Sequence, residues 1–164
     1  MSEVEPNYNR GLTPLHPLQK ALIRTSNAIF WGVVLAAVAL AEISFRAWLL
    51  IPTGLLFALT ILAALFFILI RPERIYRRWG YEMERDQLRV LRGSLWRTDT
   101  IVPFNRIQHI DVAQGPLQRR YELSTLVVHT AGTHNSIVGL PGLHTPNAEA
   151  MRDIIKEHIR EEMI

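Results

Sequence analysis

Between Ala47 and Ile70 the chain runs for 24 consecutive residues without an ionisable side chain. As a helix rising about 1.5 Å per residue, such a run spans roughly 36 Å, enough to cross a hydrocarbon layer of about 30 Å with some tilt. A second uncharged run, residues 25–41, holds 17 residues between Arg24 and Glu42. It sits at the short end of the crossing range and lengthens if Leu22 and Ile23 join it while Arg24 extends its guanidinium to the interface. Trp31 and Trp48 suit positions at or near that interface, with simple packing the alternative for Trp31.

Only residues 42–46 separate the two runs, so the helices are expected to form an antiparallel hairpin with both chain ends on one side. Lys20 and Arg24 precede the first run, and Arg71, Arg74, Arg77 and Arg78 follow the second, against a lone Arg46 between them. This excess of cations at the outer ends puts both termini in the cytoplasm. The expected division is a cytoplasmic N-terminal segment 1–20, a transmembrane hairpin 21–70 with spans of about 25–41 and 47–70, and a cytoplasmic domain 71–164.

Competing readings fare worse. Two such runs in 164 residues leave too little protein to bury both in a soluble core. A signal peptide cleaved near Ala37, Ala39 and Ala41 would have a long basic leader and would be followed at once by another span. Pro52 and Gly54 read as a tolerated kink near a span's end rather than a substrate-binding break. Neither run carries a charge in its middle, so no ion or proton path is indicated. The 18 basic residues are nearly offset by 15 acidic ones, which argues against nucleic acid as a partner. With no cysteine, a disulfide framework, a thiolate metal site and a cysteine nucleophile are excluded.

Beyond residue 70 the texture changes to short alternating segments. Trp79, Tyr81 and Met83 fall on one face of a strand and Arg78, Gly80 and Glu82 on the other. A polar turn at 84–87 leads to Leu88, Val90 and Arg92. A turn at Gly93 and Ser94 then leads to a run over 95–102, completing an antiparallel meander. Residues 103–106 interrupt it, and 107–112 begin another strand. Residues 117–121 suit a short helical turn after Gly115 and Pro116, and 123–131 with 135–140 suit a hairpin about Gly132. Thr145 is placed to cap a final helix with Pro146 at its first position, and Met151, Ile154, Ile155 and Ile159 form its apolar stripe. Trp96, like Trp79, Tyr81 and Met83, is expected in the core. The fold class is a two-helix transmembrane hairpin followed by a mainly-β domain of antiparallel sheets capped by a C-terminal helix.

The run Pro103-Phe104-Asn105-Arg106-Ile107-Gln108, then Gly115-Pro116-Leu117-Gln118-Arg119, Leu123-Ser124-Thr125-Leu126 and Thr130-Ala131-Gly132, resembles the bacterial pleckstrin-homology (PH) family of YdbS-like membrane proteins. The resemblance covers nearly the whole chain. It implies a PH-like fold and a place in the bacterial cytoplasmic (inner) membrane. It also implies an accessory or interaction role beside a larger membrane protein that carries several copies of the same domain. Glu122 departs from the pattern, which has glycine before the position of Leu123; a φ above zero there would strain a glutamate.

Two sets of residues are candidates for binding. Arg71, Arg74, Arg77, Arg78, Arg85, Arg89, Arg92 and Arg97 form the main basic cluster, suited to membrane lipid headgroups at about 1 kcal/mol per cation, or simply to the topology rule and a solvated strand face. Pro103, Arg106, Ile107, Gln108, Gly115 and Pro116 carry the family motif. Arg106 and Gln108 suit either a polar partner contact or local turn-making, with Arg106 paired to Asp111 or Asp99 and Gln108 bonded to backbone. A partner strand could also add to an open sheet edge. His109, His129 and His134 lack metal-ligand spacing. Ser94, Asp99 and His109 lack a nucleophile elbow, and neither the dinucleotide fingerprint nor the P-loop pattern occurs. The sequence thus indicates a non-enzymatic scaffold or interaction module without catalytic, cofactor or metal residues. Self-association is left open, as are an accessory role in a membrane enzyme or transporter and binding of anionic lipid.

Overall fold

The computed structural model describes residues 11–45, 52, 54–93, 96–131 and 137–162. Among the described residues, two helices are long and apolar enough to cross a membrane: α1, Leu18–Ser44, of 27 residues, and α2, Leu55–Arg78, of 24 residues. α1 outruns its expected span at both ends, whereas α2 has the expected length but is shifted toward the C-terminus, starting at Leu55 and continuing past residue 70 to Arg78. Glu42, expected in the connection, lies inside α1, and its carboxylate accepts hydrogen bonds from the N–H groups of Gly54 (3.1 Å) and Phe57 (3.3 Å). It thereby satisfies two of the unpaired donors at the start of α2 and places negative charge at the positive end of that helix. The expected positions of Arg46, Ala47 and Trp48 fall outside the described residues.

Helix α2 is not uniform. A π turn occupies Phe66–Ile70, with the Arg71 N–H bonded to the Phe66 carbonyl five residues back. In that register the next donor would be residue 72 bonding to Phe67, but Pro72 has no N–H. The orphaned Phe67 carbonyl instead accepts a hydrogen bond of 2.8 Å from the Asn27 amide of α1. A proline in α2 is thus compensated by a polar side chain in α1, locking the hairpin's register. Trp31 packs on the same Phe67 at 5.3 Å between ring centroids. Asn27→Ala is expected to cost about 0.5–1.5 kcal/mol of hairpin stability. In a Pro72→Ala background, where residue 72 regains its N–H, the cost should shrink. A double-mutant cycle on unfolding in detergent measures that coupling.

Among the described residues the domain forms two antiparallel sheets. The first contains, in order, β1 (Thr13–Pro14), β2 (Gly80–Met83), β3 (Gln87–Gly93) and β4 (Arg97–Pro103). The second contains β5 (Ile107–Ala113), β6 (Leu123–Thr130) and β7 (Ile137–His144). A short helix α3, Pro116–Arg120, links β5 to β6, and α4, Thr145–Glu162, packs across the second sheet. Alternation sends Leu88 and Val90 of β3, Ile110 of β5, Leu126 and Val128 of β6, and Val138 and Leu140 of β7 into one core, closed by Ala148, Met151 and Ile155 of α4. Trp79, Tyr81 and Met83 pack against it, as their alternation indicates.

Three expectations are corrected. Ile154 is 56% exposed, and Ala148 takes the stripe position: spacing 148, 151, 155 and 159 keeps one helical face, whereas 154 lies about a third of a turn away. Trp96 is 88% exposed rather than in the core, because it stands just beyond Gly93 at the β3–β4 connection. Thr145 does not serve as a cap outside the helix. It is the first residue of α4, and its hydroxyl joins Ser124 (2.8 Å), Gln114 (3.0 Å) and the Glu122 carbonyl (3.1 Å), fixing α4 to β6. The remaining turn residues Ser94, Leu95, Gly132, His134 and Asn135 lie outside the described residues.

The expected division at residues 20 and 70 also changes. The segment before α1 belongs to the domain: Thr13 and Pro14 pair with Tyr81 and Gly80, Leu15 is 1% exposed in the core, and the His16 N–H donates to the Gly142 carbonyl at 2.8 Å. At the other side α2 continues to Arg78, and its last turns lie against β3. The domain is therefore assembled from chain on both sides of the hairpin. Lys20 and Glu73 (2.9 Å) pair across the two helices where they meet it, with Arg77 adding to Glu73 at 3.0 Å.

Glu122 adopts φ 54°, the left-handed conformation that glycine tolerates best. Its side chain is 81% exposed and, among the described residues, makes only a 3.6 Å contact with His144. Glu122→Gly is expected to raise stability by up to about 1 kcal/mol, the left-handed penalty less the extra chain entropy of glycine. Thermal unfolding of the full chain in detergent would show it as a higher midpoint.

Candidate interaction surface

The motif residues divide into those the fold uses and those it does not. Pro103 ends β4 and opens a 3-10 turn over Phe104–Arg106, where Phe104 is 1% exposed and its N–H bonds to the Asp86 carbonyl at 2.8 Å. Ile107 is in the core. Gly115 precedes α3 and Pro116 is at its first position, where a missing N–H costs nothing. Gln118 reaches back to accept from the Gly115 N–H (2.8 Å) and donates to the Thr125 hydroxyl (2.8 Å). Gln114 ties β5 to β6 through the Leu123 carbonyl (3.0 Å).

Arg106 and Gln108 behave differently. Both are exposed, and among the described residues neither side chain makes a hydrogen bond or ion pair. The expected pairing of Arg106 fails because its proposed acids are engaged: Asp99 by Arg89 (2.6 Å), and Asp111 beside His109 (2.9 Å) and His129 (3.6 Å). The Arg89 hydrogen bond holds the Asp99 carboxyl below its usual range. His109 and His129 do meet across β5 and β6, with ring centroids 5.8 Å apart. Among the described residues no cluster of three His, Cys, Asp or Glu is arranged to hold a metal ion.

Sheet edges complete the picture. β1 is two residues long and β7 contains Pro141, which cannot donate to an added strand. The other two edges are β4 and β5: among the described residues β4 pairs only with β3 and β5 only with β6, and Gln108, His109, Asp111 and Ala113 along β5 are exposed. Arg106 and Gln108 thus stand at the start of an accessible edge strand.

The arginines scatter over several environments. Arg89 pairs with Asp99 and Glu82, Arg77 with Glu73, and the Arg71 guanidinium lies 5.5 Å from the Phe67 ring centroid. Arg85 is at the β2–β3 turn, at the far end of those strands from α2, and Arg74 is exposed on α2. Arg92 is half-buried on β3. Arg78 and Arg97 come together with Trp96 around one cleft.

Comparison with known proteins agrees with this architecture. The bacterial PH domain family matches residues 28–159, from within α1 to the last turn of α4. The chain belongs to that family. The family match therefore covers the hairpin together with the PH-like domain, in keeping with a domain assembled around the two helices. The chain is also 33% identical to the transmembrane protein YdbS of Bacillus subtilis (strain 168) over 128 residues, covering 78% of each chain. No solved structure matches it. This is thus a bacterial PH-like domain in a YdbS-like transmembrane protein. Asn27 and Glu42 have roles that sequence reasoning missed. Pro72 signalled a need for a donor like Asn27, but nothing local marked Glu42.

Proposed function

We propose that this PH-family protein is a non-enzymatic, membrane-tethered interaction module. Its hairpin crosses the bacterial inner membrane with both termini in the cytoplasm, and the exposed edge of β5 receives a partner. The observation that carries this reading is the division of the motif: Gly115, Pro116 and Ile107 serve the fold, while Arg106 and Gln108 face solvent unpaired among the described residues. An edge strand flanked by an arginine suits strand addition, the backbone supplying affinity and the side chains selectivity. The proposed partner is a larger membrane protein carrying further copies of the same domain. Confinement to one leaflet raises the effective concentration of the two.

Arg106→Ala with Gln108→Ala in the full chain tests this. Stability should change by less than about 0.5 kcal/mol, as for exposed sites without partners. Co-purification with the multi-domain partner from native membranes should fall about tenfold, the loss expected for a contact worth roughly 1.4 kcal/mol. Unchanged recovery of that partner, or stoichiometric recovery of an enzyme or transporter instead, would overturn the proposal.

A further inference from the structure

One residue of the domain reaches the level at which the hairpin enters the bilayer. The Tyr121 hydroxyl shares a hydrogen bond with the hydroxyl of Thr25 in α1, 2.7 Å between the oxygens. Thr25 opens the first uncharged run, directly after Arg24, and the matching limit on α2 is Arg71 after Ile70. The two limits lie at one height, because Asn27 of α1 bonds to the Phe67 carbonyl one turn inside Arg71. Tyr121 is therefore held at the boundary between hydrocarbon and headgroups, where tyrosine concentrates because its ring is apolar and its hydroxyl polar.

The turn that carries Tyr121 is tied down. Its N–H bonds to the carbonyls of Gln118 (3.0 Å) and Leu117 (3.3 Å), continuing α3, and Gln118 is fixed to Gly115 and Thr125. Arg119 and Arg120 immediately precede Tyr121 on this turn. Both are exposed, and among the described residues neither side chain makes a hydrogen bond or ion pair. The acids nearby are directed elsewhere: Glu122 lies 3.6 Å from His144, and Glu73 takes Lys20 and Arg24. Headgroups add roughly 5–8 Å to each side of the hydrocarbon, whereas one or two residues of helix rise only about 1.5–3 Å. Two guanidiniums thus stand at the depth of lipid phosphates, the anions their planar donors fit best.

We propose that α3 is a second membrane contact, in which Arg119 and Arg120 receive the phosphates of anionic lipids while Tyr121, braced on Thr25, fixes their depth. The hairpin and α3 are then two points of attachment that set how the domain sits on the leaflet. β5 ends at Ala113, just before α3, so Arg106 lies roughly 20 Å away at the other end of that strand. The contact places lipid, not protein, at α3, and it does not depend on a partner at β5.

The chain has no cysteine, so a single introduced one takes a dye at a chosen site of the full chain. A small fluorophore on Arg119→Cys keeps Arg120, and one on Arg120→Cys keeps Arg119; both positions are exposed, so unfolding should match that of the unlabelled chain. A dye on Arg85→Cys, in the β2–β3 turn, is the reference. The vesicles are phosphatidylcholine with a minor share of phosphatidylglycerol, one lipid or the other carrying bromine near the headgroup end of its acyl chains. The dyes at 119 and 120 are expected to be shielded from acrylamide and quenched by brominated lipid, with brominated phosphatidylglycerol several-fold more effective than an equal fraction of brominated phosphatidylcholine. That preference should fall to near one when Arg120→Gln or Arg119→Gln removes the remaining cation, and inorganic phosphate in the water should leave it intact. Acrylamide quenching equal to that at position 85 would overturn the proposal, as would the absence of a preference or one untouched by the Gln substitutions. Loss of the preference in inorganic phosphate would overturn it by assigning the arginines to a soluble anion. Shielding lost on diluting protein in lipid would overturn it by assigning α3 to contact with a second copy.

Discussion

Phe104→Ala is expected to lower the unfolding free energy of the full chain by about 3–5 kcal/mol, the range for removing a buried aromatic ring without collapse of the space it leaves. Phe104 stands where the chain passes from the first sheet to the second, is 1% exposed, and meets His158 of α4 edge-on with 5.4 Å between ring centroids. One side chain thus touches the sheet crossover and the capping helix. The loss should appear in denaturant titration in detergent as a lower midpoint. A loss below about 1 kcal/mol, typical of surface change, would mean that this crossover is not the centre of the core.

Gly142→Ala is the second large effect. Gly142 has φ 74°, and a Cβ there would lie 2.8 Å from Gln19 Cγ and 3.0 Å from Gln19 Cβ. The left-handed conformation costs a non-glycine residue about 1–2 kcal/mol and overpacking adds about 1–3 kcal/mol, so a total of about 2–5 kcal/mol is expected. Gln19 is in the first turn of α1, and the Gly142 carbonyl accepts from His16 just before that helix. The substitution therefore attacks the joint between hairpin and domain. Gly139→Ala is the control: its Cβ would sit 3.7 Å from Thr125 Cγ2, an ordinary contact. Gln19→Ala should recover part of the Gly142→Ala loss, since it removes Cγ and Cδ. An equal loss with and without Gln19 would show that the joint is not packed as described.

The membrane helices were legible because a bilayer demands some twenty apolar residues whatever surrounds them. Their ends were not. Gln19, Lys20 and Glu73 look like the polar limits of spans, yet they continue the helices into contacts with the domain and with each other. The pairing of Thr13 with Tyr81 crosses the whole hairpin, and a two-residue strand carries no periodicity to announce it. Alternation identified the core faces of β2 and β3 correctly. It failed for Trp96 because hydrophobicity records what a side chain prefers, not that its position beyond Gly93 leaves it outside. The motif around Pro103 was readable as a family mark, and the family match agrees. Which of its residues the fold consumes could be told only from their partners: Gln118 has two, Arg106 and Gln108 none among the described residues.

The interaction role rests on that last distinction, and site-specific photocrosslinking in native membranes tests it most directly. A photoreactive residue at position 108 is compared with one at Arg120, exposed at the end of α3. The account predicts an adduct from position 108, identified as a membrane protein bearing further copies of this domain, and none from position 120. Equal yields from the two positions, or an adduct at 108 only with an enzyme or transporter, would contradict it.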